Sequence, residues 1–255
     1  MLILLPPSEG KTAPQTGDPV DLEALAFAAE LTESRRKLLA ALAELAELPL
    51  ERAVSVLAVS AGQADEVAVD AALSAAPAAP AASVYSGVLY ERLQLPELPK
   101  RARGRVLIAS ALWGVLRPGD RIPYYRLSAK AKLDGVGGLA AFWRPALAAA
   151  LPDEEGSLVV DMRSGAYAAA WRPKRATLLA VRAFSESKGK RKPISHMAKA
   201  VRGEVARALL GAKTPPKDPE AVAQLATAAG FTVQLVPGAL DVIIPGRRAE
   251  NSTIA

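Results

Sequence analysis

The chain has 255 residues, no Cys, one His and a net charge of +6; 51% of its residues are apolar but only 5% aromatic. That length suits one large domain or two small ones with a real core. The missing Cys excludes disulfides and thiolate metal sites, and no apolar run approaches the roughly 20 residues that cross a bilayer. The distribution of charge says more than its total. From Asp18 to Asp70 there are eleven acids against four bases, and from Trp171 to Lys213 twelve bases against two acids. Such asymmetry predicts a basic face for a polyanion and a separate acidic face.

The opening MLILL is short, lacks a basic leader and runs into Pro6-Pro7, so it reads as a buried first strand and not a signal peptide. With no export signal, the cytoplasm is the expected compartment, and no membrane association is expected. The GKT that follows invites a phosphate-loop reading. That pattern needs a Gly where Leu5 stands, and Pro6 and Pro7 remove amides that would cradle phosphate. Lys11, at the exit of the first strand, is either a functional cation or a solvated loop lysine.

From Pro19 to Glu51, leucines recur at spacings of three and four and predict an acidic helical pair, most simply scaffold. Residues 54–60 read as a buried strand or a helical turn, and 73–83 as a Pro/Ala loop. Val84 to Leu95 is helix-like, and Lys100 to Arg105 is a basic turn. VLIAS at 106–110 is an interior strand leading to Trp113, Arg117, Tyr125 and Arg126, residue types that bind phosphates and stack on bases.

LDGVGGLAAF from Leu133 reads as a loop entering a helix, with Gly135 and Gly137 flanking Val136. A Gly-apolar-Gly turn brings the backbone close to a partner, and the amides opening the next helix can hold an anion. This resembles the hairpin of helix-hairpin-helix DNA-binding elements, with Lys130 and Lys132 adding charge beside it. A plain glycine-rich connection between two helices is the alternative.

SLVVDM at 157–162 and TLLAVRAF at 177–184 are further interior strands; the first leads to Arg163-Ser164-Gly165-Ala166-Tyr167, a polar loop where open α/β sheets place their sites. The most basic run, Lys188, Lys190, Arg191 and Lys192, precedes a helix whose apolar stripe leaves Lys199, Arg202 and Arg207 off it. A basic loop feeding a basic-flanked helix suits phosphate contacts; a solvated charge run is the alternative. The chain closes with a helix from Pro219 to Ala229, strands FTVQLV and DVII, and a polar tail, 247–255, expected to fray. No repeat or linker divides residues 1–246, which predicts a single α/β domain, a mixed α+β arrangement of helices around a mixed central sheet.

Catalytic patterns are absent from the spacing. His196 reads as a structural or surface residue, Ser164 is not in a G-x-S-x-G elbow, and no cluster suits a transition metal, so no metal and no cofactor are expected. Glu9, Asp120 and Asp161 would make an acid/base or Mg²⁺ site only if the fold gathers them.

Taken together, MLILLPPSEGKT, the LWGVLRP–D–YRL block at 112–127, FW at 142–143, and VVDMRSGAY followed by SHMAKAVRG resemble the YaaA family of peroxide-stress proteins, in the same order and over nearly the whole chain. The resemblance implies an α/β fold of the family's own kind, with a positively charged cleft and a helix-hairpin-helix-like element binding duplex or structured DNA. It also implies protection of DNA and proteins from hydrogen peroxide by limiting free intracellular iron. Lys11, Arg117, Asp120, Tyr125, Arg126, Ser164, Tyr167, Lys199, Arg202 and Gly203 match the family pattern. This chain departs from it at Ser128, at Gly165 and Ala166 where the family often carries acids, and in PPSEGKT where SPAKT is common. An enzyme acting on a nucleotide or another phosphorylated small molecule is the alternative, and whether the family-pattern residues line one pocket or an open groove discriminates the two.

Overall fold

In the computed structural model, Leu2–Leu5 form β1, in which Ile3 and Leu5 are fully buried. A strand covered on both faces reads as a continuous apolar run, which is why this one shows no alternation. The structure describes residues 1–57, 65–187, 190–194 and 196–245. Lys188 and the tail 247–255 therefore lie outside the described residues, as does the side chain of His196.

The acidic segment folds as α1 (Ala28–Ala46), α2 (Leu50–Leu57) and α3 (Asp65–Ala71). The first helix starts nine residues after Pro19, where the predicted helical pattern begins. Residues 22–27 are turns and a bend, and Phe27 enters the helix in the left-handed region at φ 59°. Residues 54–57 are helical, which decides between strand and helix for the described part of that segment.

Next come β2 (Ala79–Pro80), α4 (Ala81–Val84), α5 (Val88–Leu93) and α6 (Lys100–Arg103), so the Pro/Ala stretch is partly ordered and the basic turn is one turn of helix. The middle of the chain supplies β3 (Val106–Ser110), β4 (Gly114–Leu116), β5 (Arg121–Ile122), β6 (Lys132–Leu133), β7 (Gly137–Gly138), α7 (Leu139–Ala150), β8 (Leu158–Asp161) and α8 (Gly165–Ala168). The last part holds β9 (Thr177–Ser187), β10 (Lys190–Pro193), α9 (His196–Gly211), α10 (Pro219–Ala228), β11 (Thr232–Val236) and β12 (Ala239–Pro245). Asp218 caps α10 by accepting a hydrogen bond from the Ala221 amide at 2.7 Å, and Pro219 fills the first helical position, where its missing N–H costs nothing.

One eight-stranded mixed sheet runs β11-β12-β9-β8-β1-β3-β4, with β10 on β9. Its centre is parallel and its outer strands β4, β10 and β11 are antiparallel. The single-domain mixed α/β class read from the sequence is the one found.

Two local expectations change. The glycine turn is a two-stranded β-hairpin, β6 against β7, leading into α7. Residues 128–131 ahead of it are irregular or turn, so a helix stands on one side only. Between Arg117 and Leu133 the only regular elements are the two-residue strands β5 and β6, and few apolar residues fall at helical spacing, too little to nucleate a helix. Lys190–Lys192 are likewise not in a loop but in β10, exposed and paired with Glu186, Ser185 and their neighbours.

The topology fixes where a site must lie. From β1 the chain reaches β3 on one side and β8 on the other, both parallel to it. At such a reversal the loops leaving the strands part and open a crevice beyond their carboxyl ends.

A candidate anion-binding cleft

The loop leaving β1 forms the floor of that crevice, and its backbone is held carbonyl by carbonyl. Tyr90 Oη donates to the Pro6 carbonyl at 2.8 Å, Lys11 Nζ to that of Ser8 at 2.9 Å, and an Arg126 guanidinium N–H to that of Glu9 at 3.1 Å. The Ser86 amide donates to the Gly10 carbonyl at 3.1 Å, and Ser8 Oγ lies against the carbonyls of Gly10 and Ser86. With two prolines in it, the loop is rigid before anything binds.

Beneath it sits a buried tyrosine cluster. Tyr85 and Tyr125 share a hydroxyl hydrogen bond of 2.7 Å, and Tyr125 and Ser110 another of 2.8 Å; the Trp113 amide donates to Ser110 Oγ at 3.0 Å. Lys11 Nζ lies 4.4 Å from the Tyr125 ring centroid, where the negative ring face attracts a cation. Burial pushes the Tyr85, Tyr90 and Tyr125 hydroxyls well above the ordinary phenol range. Burial first, and then the nearby Glu9 charge, pushes Tyr167 up to about 12, against a lowering by the Ala129 peptide. These phenols are neutral at physiological pH and act as donors, not as bases.

The loop after β8 is fixed by a buried ion pair. Arg163 meets Asp161 through two hydrogen bonds, at 2.8 and 2.9 Å, with the two side chains 3% and 5% exposed. The same guanidinium donates to the Trp171 carbonyl at 2.8 Å and the Tyr167 carbonyl at 3.2 Å, closing the turn that carries Ser164 and Tyr167. Asp161 therefore serves structure rather than the acid/base or Mg²⁺ site the sequence left open. Helix α9 forms the remaining wall, packed tightly on α5: a Cβ at Gly203 would lie 2.3 Å from the Leu89 carbonyl.

The resulting cleft measures about 640 Å³, inside the range of ligand sites. It gathers Lys11, Tyr125, Arg126, Ser164, Tyr167, Lys199 and Arg202, all singled out in sequence, together with Lys130 from the approach to the glycine hairpin. Lys130 and Lys199 are exposed, while Lys11, Arg126 and Arg202 are half-buried. Arg202 donates to the Val181 carbonyl at 3.1 Å, and burial lowers its pKa, with the Asp161 charge opposing.

Other sequence candidates sit elsewhere. Asp120 accepts hydrogen bonds from the Arg117 and Ala26 amides at 2.9 and 3.2 Å, stapling a turn, and burial raises its pKa against those bonds. Arg117 donates to the Gly104 carbonyl at 3.3 Å and covers the Phe27 ring. Arg207 donates to the Leu93 carbonyl at 3.0 Å and meets Glu97 at 3.3 Å, tying α9 to the end of α5. Gly135 and Gly137 have φ of 69° and 78°, with nothing near a Cβ added at either, so the hairpin tip is exposed. Lys132 is exposed on β6, and Val136 is half-buried against the core. On β10, Lys190 and Lys192 are exposed, and Arg191 pairs with Glu186 at 2.6 Å. Thus Lys11, Tyr125, Arg126, Ser164, Tyr167, Lys199 and Arg202 of the family pattern line the cleft, Arg117 and Asp120 lie outside it, and the hairpin tip and β10 carry separate cations.

The sequence reading missed the second layer. Arg163 reads only as part of the polar loop after β8, without its ion pair, and the Ser86-Gly87 turn, which completes the loop platform, carries no motif of its own. Arg35 is a different case: it is fully buried, donating to the carbonyls of Ala26, Trp113 and Val115 at 2.8–3.2 Å. Burial lowers its pKa to about 10, with Asp120 and then Glu23 opposing. A signal existed, because Arg35 continues the inward stripe of Leu31, Leu38, Leu42 and Leu45.

Among the described residues no helix is long and apolar enough to cross a membrane, and no group of three or more His, Cys, Asp or Glu is placed to hold a metal ion. Residues 1–235 match the family described as peroxide stress protein YaaA. The UPF0246 protein of Streptomyces coelicolor is 40% identical, the alignment covering 96% of this chain and 98% of that one. That of Corynebacterium glutamicum (strain ATCC 13032) is 39% identical over 93% of this chain and 96% of its own. An uncharacterized protein of Campylobacter jejuni shares 32% identity over 47% of this chain and 48% of its own. By the extent of that match, the chain belongs to the YaaA family of peroxide stress proteins.

Proposed function

We propose that this peroxide stress protein acts in the cytoplasm by binding DNA largely without sequence specificity, holding backbone phosphates in the basic cleft. The observation that carries the reading is the convergence of Lys11, Arg126, Lys130, Lys199 and Arg202, from three separate parts of the chain, on one rigid crevice. Cations gathered this way take phosphates whatever the bases are, since phosphate contacts position a nucleic acid without reading it. The exposed hairpin at Gly135–Gly137 and the Lys190–Lys192 strand would extend the contact to flanking phosphates. Limiting free iron, and so sparing DNA and proteins from peroxide, belongs to the same proposal; whole-cell electron paramagnetic resonance of chelated iron, with and without the gene, tests it.

The DNA reading is tested by anisotropy of a labelled bubble or junction DNA across a salt series. Each phosphate neutralised contributes roughly 0.9 to the log–log salt slope. A Lys130→Gln/Lys199→Gln variant should flatten the slope by about 2, and a Gly135→Glu/Gly137→Glu variant should weaken binding if the hairpin touches phosphate. An unchanged slope in the first variant removes the cleft from the contact surface. The concave form of the cleft favours a second reading, an enzyme or binding protein for a phosphorylated small molecule, which gains if no DNA binding occurs even at low salt.

A further inference from the structure

Among the described residues, the side chains lining the cleft include a single carboxylate, that of Glu9, set among five Lys and Arg. A site built only to hold phosphates gains nothing from it. Its charge repels the anion that its neighbours attract, and in a partly hydrated cleft one unit charge at several ångströms changes affinity by roughly three- to tenfold. Glu9 is exposed, but its backbone is held in place. The carbonyls on either side of it and its own are all hydrogen-bonded, which holds the backbone from which this side chain lines the cleft. The charge also reaches Tyr167, whose ionisation it opposes.

A carboxylate can only accept hydrogen bonds, and it accepts strongly. The cleft also has an apolar part: Pro6, Pro7 and Val88 are half-buried and line the same space. Cations for a phosphate, an acceptor for donors and an apolar wall for a planar group together match the three parts of a nucleotide. We infer that Glu9 sets the ligand class of the cleft, accepting hydrogen bonds from the base or sugar of an unpaired nucleotide whose phosphate lies among the surrounding cations. In DNA this is a base outside the duplex, whose amino and imino hydrogens are free; within a duplex they are used in pairing. The inference rests on the reading of the cleft as an anion site and adds what the anion must carry.

Calorimetric titration at low salt of the wild type, Glu9→Gln and Glu9→Ala with inorganic pyrophosphate, GMP and dGMP separates these ideas. Glu9 is exposed, so both variants should keep the fold, with circular dichroism as the check. Pyrophosphate should bind both variants more tightly, by roughly three- to tenfold. A nucleotide should bind Glu9→Ala more weakly, by roughly ten- to hundredfold, the scale of hydrogen bonds to a charged group, with Glu9→Gln between. Equal losses for GMP and dGMP put the donor on the base or the 3′-hydroxyl; a loss confined to GMP puts it on the ribose 2′-hydroxyl, and either supports the inference. If the nucleotides tighten as pyrophosphate does, or nothing changes, Glu9 reads no donor and the inference falls while the anion site stands. If the wild type binds none of the three and no DNA, the anion-site reading falls with it.

Discussion

Replacing Asp161 by Asn tests the claim that a buried ion pair shapes the cleft. The wild-type carboxylate holds Arg163 through hydrogen bonds of 2.8 and 2.9 Å and also accepts from the Arg163 amide at 2.9 Å. In the variant, one carbonyl oxygen remains to accept, but an amide N–H₂ faces a guanidinium that is 3% exposed. Breaking one partner of a buried pair costs about 3–5 kcal/mol. The retained acceptor, with the Tyr167 and Trp171 carbonyls still in place, argues for the lower end, about 3 kcal/mol. For a chain of this size that lowers Tm by about 6–12 °C. Urea unfolding followed by both circular dichroism and tryptophan fluorescence gives the free energy if the two transitions coincide. Pairing Asp161→Leu with Arg163→Met removes both charges and should cost at least about 2 kcal/mol less than the sum of the single variants, because neither charge is then stranded. A shift in Tm under 2 °C for Asp161→Asn would show that water or another group satisfies Arg163, and the account of the Ser164–Tyr167 loop would be wrong.

Gly203→Ala places a Cβ 2.3 Å from the Leu89 carbonyl and should cost about 1–3 kcal/mol by overpacking; it should also weaken DNA binding, because Lys199 and Arg202 ride on the helix that must move. Gly211→Ala in the same helix meets nothing within 4 Å and should leave both properties near wild type, so equal effects of the two changes on thermal melts would refute the packing argument. At high pH the buried tyrosines act against the fold. Tyr167 titrates near 12 when folded and near 10 when unfolded, so the unfolded chain releases its proton first, and stability holds below about pH 10 and falls between 10 and 12. Tyr85, Tyr90 and Tyr125 shift in the same direction, so phenolate absorbance should rise together with loss of circular dichroism; full ionisation of the folded chain near pH 10 would contradict their burial.

What the sequence made legible was whatever is encoded locally. The strands at 2–5, 106–110 and 158–161 are apolar on both faces and so cannot be mistaken for amphipathic helix. The polar loop after the β8 strand could be placed at a carboxyl end because its strand was visible. The start of α1 was not legible, because Leu22 and Leu25 continue the helical spacing through a segment whose backbone is turned by contacts with Asp120, ninety-four residues away. The glycine turn was read as a loop entering a helix, which α7 bears out, but not as a β-hairpin, since two-residue strands carry no periodicity to detect. The gathering of Lys11, Arg126, Lys130 and Arg202 was invisible for a further reason: side chains from separate loops meet only through the order of strands in the sheet. Family resemblance supplied several of those residues before geometry did, but Glu9 stands out only once its five cationic neighbours are known.

Photocrosslinking tests the central claim, that nucleic acid occupies the cleft, most directly. A bubble DNA carrying 5-iododeoxyuridine at an unpaired position would be irradiated with the full-length protein at low salt, and the adducts located by peptide mass spectrometry. The account predicts adducts on the cleft segments, foremost at Tyr90 or Tyr167 and the Pro6–Lys11 loop, competed away by GMP. Adducts confined to the 190–193 strand or the hairpin tip, unaffected by GMP, would contradict it.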